Sequence, residues 1–310
     1  MKTTPDNMTT GLLTAETAFR VALPTVQSVP VVFASPHSGR NYPPDLLNLT
    51  RLDSHTLRRS EDAFVDELFA GVPDLGASLI SAQFPRASVD ANREALELDP
   101  DMYHDALPHG ANTRSPRVSA GIGTIARVVS NGQKIYDRKL SFEEVHHRIE
   151  TCYQPYHTAL KKLVDETIIQ FGQCLVVDCH SMPSGAADQA ARGSLGTLLQ
   201  TPIEYGNTDI ILGDCWGSTC DPDVTLAAER AALSAGYSVR RNTPYAGGFT
   251  TRTYGQPSTG RHALQIEINR SLYMDERSMT RLPVFDEVRH RMMQLATALS
   301  AFGAERMAAE

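Results

Sequence analysis

Two apolar runs in this chain end in histidine: Pro30-Val31-Val32-Phe33-Ala34-Ser35-Pro36-His37 and Cys174-Leu175-Val176-Val177-Asp178-Cys179-His180. Short runs of this kind, rich in valine and without polar alternation, read as strands buried on both faces. That pattern commits the chain to a sheet covered by helices. It also delivers an imidazole just past the C-terminal end of each strand, where α/β sheets collect ligands. One such histidine reads most simply as a hydrogen-bonded structural residue. Two on separate strands point to a shared metal, because zinc favours imidazole and a catalytic zinc takes three protein groups plus water.

Further strand-length runs occur at Val31–Ser35, Ala77–Ala82, Leu175–Asp178, Asp209–Leu212, Tyr237–Arg240 and Ala263–Ile268, with helical patterns between several of them. The alternation predicts an α/β sheet with helices on its faces. Ser141 and Glu144 form a capping box ahead of Val145 and Ile149, and Pro155 is expected to kink or break the helix that follows. Asp221-Pro222 reads as an N-cap and first helical residue, with Gly236 as the stop. Val284, Val288, Met292, Leu295 and Leu299 recur at helical spacing and are read as core. No Pro/Ser-rich linker divides the 310 residues, so a single domain, 1–310, is expected, with a loop and hairpin insertion near 94–140. Within the insertion, Ser130-Asn131-Gly132 between Ile125–Val129 and Gln133–Tyr136 is a hairpin signal.

A third metal ligand has to be a carboxylate from elsewhere in the chain. Glu61 and Asp62 open Ser60–Phe69, which reads as an amphipathic helix, although acidic residues at a helix start also serve the dipole alone. Glu267 is a second outlier. In Ala263-Leu264-Gln265-Ile266-Glu267-Ile268-Asn269, period-two alternation sets Gln265, Glu267 and Asn269 on one face, where they need partners or a solvated cavity. A glutamate facing a metal-bound water acts as a general base; an edge strand with a wet face is the alternative. Arg86, Arg93, Arg127 and Arg252 are solvated if taken singly. Converging on a cleft, they would bind carboxylates through the guanidinium fork.

Together these residues resemble a known family. PHSG at 36–39, an acidic VDEL segment at 62–68, DxNR at 90–93, DCHSM at 178–182, NxPYAGG at 242–248 and QIEINRxLYMDE at 265–276 are similar to the N-formylglutamate amidohydrolases, zinc hydrolases of histidine degradation whose fold resembles the zinc carboxypeptidases, which implies a single-domain three-layer α/β/α fold around a mixed sheet. The resemblance runs from Val31 to Glu276. It implies His37, Asp62 and His180 as zinc ligands, with Glu61 the alternative to Asp62, since Arg40 stands where the carboxypeptidase pattern has its acidic ligand. Another divalent transition metal would suit the same donors. The resemblance further implies Glu267 as the base that activates a zinc-bound water and Arg86 as the residue that polarises the scissile carbonyl. Asn92, Arg93, Arg127, Tyr245 and Arg252 are then substrate-binding, with Gly247 and Gly248 letting the Tyr245 loop close. Formate and L-glutamate are the expected products of N-formyl-L-glutamate.

Composition narrows the partners. At 41% hydrophobic, 21% charged and a formal net charge of −7, the chain is an ordinary globular sequence without the basic surface that nucleic acid requires. No run approaches a membrane span, and Met1 to Gly11 lacks signal-peptide character, so a cytoplasmic protein acting on a small N-acyl amino acid, monomeric or a small homo-oligomer, is expected. Five cysteines without a CxxC pair read as thiols. Three rivals remain: a zinc acylase for succinyl or acetyl amino acids, a serine hydrolase using Ser38 or Ser181 with Asp178, and a metal-dependent binding protein that performs no chemistry.

Overall fold

The computed structural model describes residues 8–129, 132–185 and 208–307. In chain order the elements are β1 (Phe19–Ala22), β2 (Val31–Ser35), α1 (Pro44–Leu49), α2 (Ser54–Arg58), α3 (Val65–Leu68), β3 (Ser78–Ala82), α4 (Pro116–Ser119), α5 (Phe142–Arg148), α6 (Gln154–Phe171) and β4 (Cys174–Met182). They continue with β5 (Ile210–Gly213), α7 (Pro222–Ser234), β6 (Val239–Arg241), α8 (Phe249–Tyr254), β7 (Arg261–Asn269), β8 (Met274–Asp275), β9 (Thr280–Arg281) and α9 (Phe285–Met307). Seven strands make one sheet in the order β1-β3-β2-β4-β7-β5-β6. β4 runs parallel to both β2 and β7, while β5 is antiparallel to β7, so the sheet is mixed as expected.

The valine-rich runs lie in the middle of this sheet, and all nine residues of β4 are buried. Each such Val or Leu contributes roughly 1.5–3 kcal/mol by leaving water. β4 is longer than its apolar run. Its pairing with β7 continues in register from Cys174↔Arg261 to Met182↔Asn269, so His180 stands inside the strand rather than beyond its end. β7 is likewise internal, flanked by β4 and β5, which removes the solvated-edge explanation for Glu267.

By compactness the chain divides into two units: Met1–Val21, Pro36–Ala63 and Ile80–Lys162 form one, and Ala22–Ser35, Phe64–Leu79 and Leu163–Glu310 the other. In the first unit, Tyr42, Leu46, Leu57, Ala87, Val129 and Ile135 make a buried cluster. The hairpin near 130 exists in reduced form. Val128 and Lys134 form a single antiparallel bridge, and the Gly132 N–H donates to Val129 O, while 130–131 lie outside the described residues. Ser141 caps α5 and Glu144 returns a bond to the Ser141 N–H. Pro155 neither kinks nor breaks the helix visibly as an end: a π-helical turn, Ile149–Tyr153, joins α5 to α6 just ahead of it. The wider turn absorbs the missing proline N–H and the clash of its ring.

In the second unit, α7 begins as its sequence dictates, with the Asp221 side chain accepting from the Asp223 N–H and Pro222 in first position. Val288, Met292, Leu295 and Leu299 are buried on α9, whereas Val284 precedes the helix and is 44% exposed, with Phe285 taking its place in the core. The helix expected over Ser60–Phe69 shrinks to the single turn α3. Phe64 adopts a left-handed φ of 65°, and the Asp62 N–H is bonded to His37 O instead of to a helical carbonyl. No helix among the described residues is long and apolar enough to cross a membrane.

Candidate active site

His180 and Glu267 are placed by strand register alone. They are direct partners across β4 and β7, so their side chains leave the same face of the sheet. Alternation adds Asp178 and Met182 from β4 and Gln265 from β7 to that face. His180 Nε2 lies 3.0 Å from Asp178 Oδ1, two residues back on its own strand, a charge contact outside hydrogen-bond geometry. Gln265 Nε2 donates to Glu267 Oε1 at 2.7 Å, so the glutamate is held from its own strand too. Glu267 is 7% exposed.

His37 is positioned differently, by a loop and its hydrogen bonds. It follows β2, whose register sets Ala34 beside Asp178. The Asp62 N–H bonds to His37 O, and the Ser38 hydroxyl donates to Asp62 O, so the segments around 37 and 62 are stitched together through the backbone. His37 Nε2 is 2.7 Å from Asp90 Oδ1, and its Nδ1 is 3.3 Å from Asp62 Oδ2. Burial alone would raise the Asp90 carboxyl, but Arg86 and Arg93, with His37, overcome it and hold this group well below the usual carboxylate range. Ionised Asp90 therefore accepts the Nε2 hydrogen, which turns Nδ1 toward Asp62.

A ring nitrogen and a carboxylate oxygen 3.3 Å apart in a buried place are held by a shared proton or by a metal ion. Two ligands of a tetrahedral zinc also stand about 3.3 Å apart, given bonds near 2.0–2.1 Å. The third member separates a metal from a proton. His37, Asp62 and His180 each offer a ligand atom within 4.8 Å of the others, and all three residues are buried. A proton bridges two groups, whereas a metal gathers three. The donor set of two imidazoles and a carboxylate, each imidazole backed by its own aspartate, fits a divalent transition metal.

The choice between Glu61 and Asp62 also has a physical basis. Glu61 is engaged from other directions: Arg58 Nε reaches both its oxygens at 3.0 and 3.2 Å, Arg58 Nη2 adds a bond at 3.1 Å, and the Tyr42 hydroxyl donates at 2.6 Å. Its chemistry is that of a buried ion pair. Burial pushes its carboxyl up in spite of Arg58.

The arginines do not all converge. Arg86 Nε donates to Asp90 Oδ2 at 2.8 Å and its side chain keeps 26% exposure. Arg93 is buried, its Nε on Ile122 O and its Nη1 on Asn92 O, with Nη2 at 3.7 Å from Asp90 Oδ2. Burial brings it down to about 10 even beside that aspartate. The Asn92 N–H is bonded to Asp90 Oδ1, and the loop is held from outside by Tyr153, whose hydroxyl donates to Arg93 O, and by His157 Nε2 at 2.8 Å from Ala91 O. Tyr153 belongs to the π turn, which aims it there. Arg127 is elsewhere, paired with Asp99 at 2.6 Å, and Arg252 is exposed, with Nη1 3.5 Å from Gly247 O.

Tyr245 packs on Met182 and Ile211, and Ile211 is the register partner of Glu267. The glycine loop beside it is fixed rather than loose. The Cys215 N–H donates to Ala246 O at 2.7 Å, and a Cβ on Gly247 would stand 2.5 Å from Thr251 Oγ1 and 2.6 Å from Cys215 Sγ. Buried Asp214 organises the opposite turn through Asn242, Gly217 and Thr225.

Three residues of the site carry no role in the metal-centred reading of the sequence. Asp178 shows a signal there, since an aspartate two residues before a strand histidine shares its face, and Gln265 likewise precedes Glu267 by two. Asp90 stands in the DxNR motif, but no spacing signals its approach to His37, which spans 53 residues that include α1, α2, α3 and β3. The serine alternatives find no geometry: Ser181 alternates to the opposite face from His180, where its hydroxyl accepts from Arg270 Nε at 3.1 Å, and Ser38 donates to Asp62 O.

Known proteins give an independent comparison. The chain is 29% identical over 286 residues to the N-formylglutamate deformylase of Pseudomonas putida, covering 90% of this chain and 95% of the relative. It is 27% identical over 285 residues to that of Pseudomonas aeruginosa, covering 90% and 96%. The crystal structure of an N-formylglutamate amidohydrolase from Ralstonia eutropha JMP134 superposes with a TM-score of 0.85 at 34% identity, over 93% of this chain and 99% of the other. A sequence profile of the family described as N-formylglutamate amidohydrolase matches residues 29–274, and the chain belongs to that family.

Proposed function

We propose that the protein hydrolyses N-formyl-L-glutamate to formate and L-glutamate at a divalent metal, zinc by donor preference, held by His37, Asp62 and His180. The observation that carries this reading is the buried cluster of those three residues, each offering a ligand atom within 4.8 Å of the others, in a chain of this family. A metal bound there supplies a water of lowered pKa and a Lewis acid for the formyl oxygen.

The chain's own residues do the rest. Glu267, across the strand pair from His180, takes the proton of the attacking water on a carboxylate oxygen and returns it to the leaving amine. Gln265 fixes the orientation of that carboxylate by its bond to Oε1. Arg86, held through Nε by Asp90, meets the charge that develops on the formyl oxygen. Asn92 and Arg93 serve the substrate carboxylates, since the bonds in hand use only the Nε hydrogen and one Nη1 hydrogen of Arg93. Tyr245 closes the pocket on the Met182 side and excludes water.

The test is formate release by the purified protein from N-formyl-L-glutamate, before and after chelation and after zinc is restored, beside N-acetyl- and N-succinyl-glutamate. Chelator-sensitive release that favours the formyl substrate is expected. Preference for a larger acyl group would replace the substrate, and turnover indifferent to chelation would remove the metal.

A further inference from the structure

The first unit contains a cavity of about 500 Å³ whose walls include Arg51, Arg127, Lys134, Arg138 and Lys139. Only two acids, Asp101 and Asp137, share the lining. No member of the metal cluster lines it, and neither Arg86 nor Arg93 does. Cationic walls are out of keeping with a chain of net charge −7. A concave surface of one sign focuses its field and concentrates counter-ions.

With Asp99 and Glu144 counted beside the lining acids Asp101 and Asp137, the five cations of the wall keep an excess of one positive charge. Arg51 is 3.4 Å from Asp137, Arg127 is 2.6 Å from Asp99, and Arg138 is paired with Glu144 at 2.5 Å. Among the described residues, no such acid stands against the ammonium groups of Lys134 and Lys139. Lys134 lies in the hairpin as the bridge partner of Val128, and Lys139 lies beyond it, just before the bridge of Leu140 with Tyr103. Arg127 adds a guanidinium already oriented by Asp99, a preorganised fork for oxyanions. Met102, Ile135 and Tyr136 supply apolar wall, and the volume is that of a small-molecule site.

We propose that this cavity is a second ligand site, separate from the metal centre, that takes a small multivalent oxyanion against Lys134, Lys139 and Arg127. Phosphate esters and polycarboxylates share that chemistry. A size of about 500 Å³ admits either.

The experiment is isothermal titration of the metal-loaded full chain at low ionic strength with glycerol 3-phosphate and, separately, tricarballylate, both weak chelators. Saturable binding of one probe per chain is expected, and the probe that binds names the source. Lys134→Ala/Lys139→Ala should weaken it by about tenfold or more, while Lys161→Ala/Lys162→Ala on α6 leaves it unchanged. Both cavity lysines are exposed, so the variant keeps its fold, which an unshifted thermal midpoint verifies. Three results overturn the proposal: no saturable binding of either probe, binding that survives the cavity variant or falls equally in the control, or a raised KM for N-formyl-L-glutamate in the cavity variant. The last would make the cavity part of the substrate site.

Discussion

The two halves of the candidate site are built by different physics. His180 and Glu267 stand side by side because β4 and β7 pair in register over nine residues, so their geometry follows from the sheet. His37 follows a strand end and Asp62 lies between two short helices, and both are held by individual bonds: Asp62 N–H to His37 O, Ser38 to Asp62 O, and Asp90 to His37, Arg86 and the Asn92 N–H. The first half is insured by a buried ladder, and the second depends on a few groups, above all Asp90. Substitutions on the strand side should therefore change chemistry and leave structure alone, whereas those on the loop side should disturb several functions together.

The largest effect is expected from His180→Ala. Truncation removes a ligand from a strand whose register is maintained by its neighbours, so the fold persists while the site loses a third of its donors. Bound metal, measured by elemental analysis after dialysis, should fall from about one ion per chain to a small fraction, with activity lost by about a thousandfold or more. Full metal content would show that the two histidines do not share an ion. Next comes Glu267→Gln, which preserves shape and the bond from Gln265. Metal content should stay at that of the parent while kcat drops on the order of a hundredfold or more. An unchanged kcat would free Glu267 of its role as base.

Asp90→Asn against Asp178→Asn sets the two halves in direct comparison. Each variant removes the carboxylate behind one histidine, and such changes cost about 10–100-fold in metal affinity or activity. Asp178 serves His180 on the same strand, so its loss should appear in metal affinity alone. Asp90 also anchors Arg86 and the Asn92 N–H, so its loss should raise KM for N-formyl-L-glutamate as well. Equal behaviour of the two variants would mean that the loop half is as well insured as the sheet half.

The same contrast explains what could be read from the amino-acid sequence. The central strands, the Asp221-Pro222 helix start, the Ser141–Glu144 box and the face shared by Gln265 and Glu267 all rest on short-range periodicity or spacing, and all are present. The Ser60–Phe69 helix was misread because its apolar spacing is genuine, but the bonds that turn Asp62 toward His37 and Glu61 toward Arg58 override local preference. Asp90 beneath His37 and the π turn that aims Tyr153 at Arg93 O depend on contacts 53 and 60 residues apart along the chain. No local pattern encodes them.

The smallest effect expected lies farthest from the chemistry, at the start of the helix that carries Tyr153. Glu144 titrates at about 2 in the folded protein, below its ordinary 4.5, first because Arg138 bonds to it and then because the Ser141 N–H does. A carboxyl lowered on folding stabilises the protein above its unfolded value and loses that contribution as pH falls through the folded one. The contribution of Glu144 is therefore complete above about pH 4.5 and fades toward pH 2. Glu144→Gln retains an oxygen for the capping box but loses the charge, so stability at pH 7 should fall by less than about 1 kcal/mol, and the loss of stability between those two pH values should be shallower than in the parent. Urea unfolding across that range measures both. α5 and α6 reach the 88–93 loop through Arg148, which donates to Ser88 O, and through His157, with Tyr153 of the π turn between them; none of these contacts uses Glu144, so kcat at pH 7 should not change. A change in kcat without a change in the acid limb would show that the cap positions the Arg93 loop and does not merely stabilise the helix.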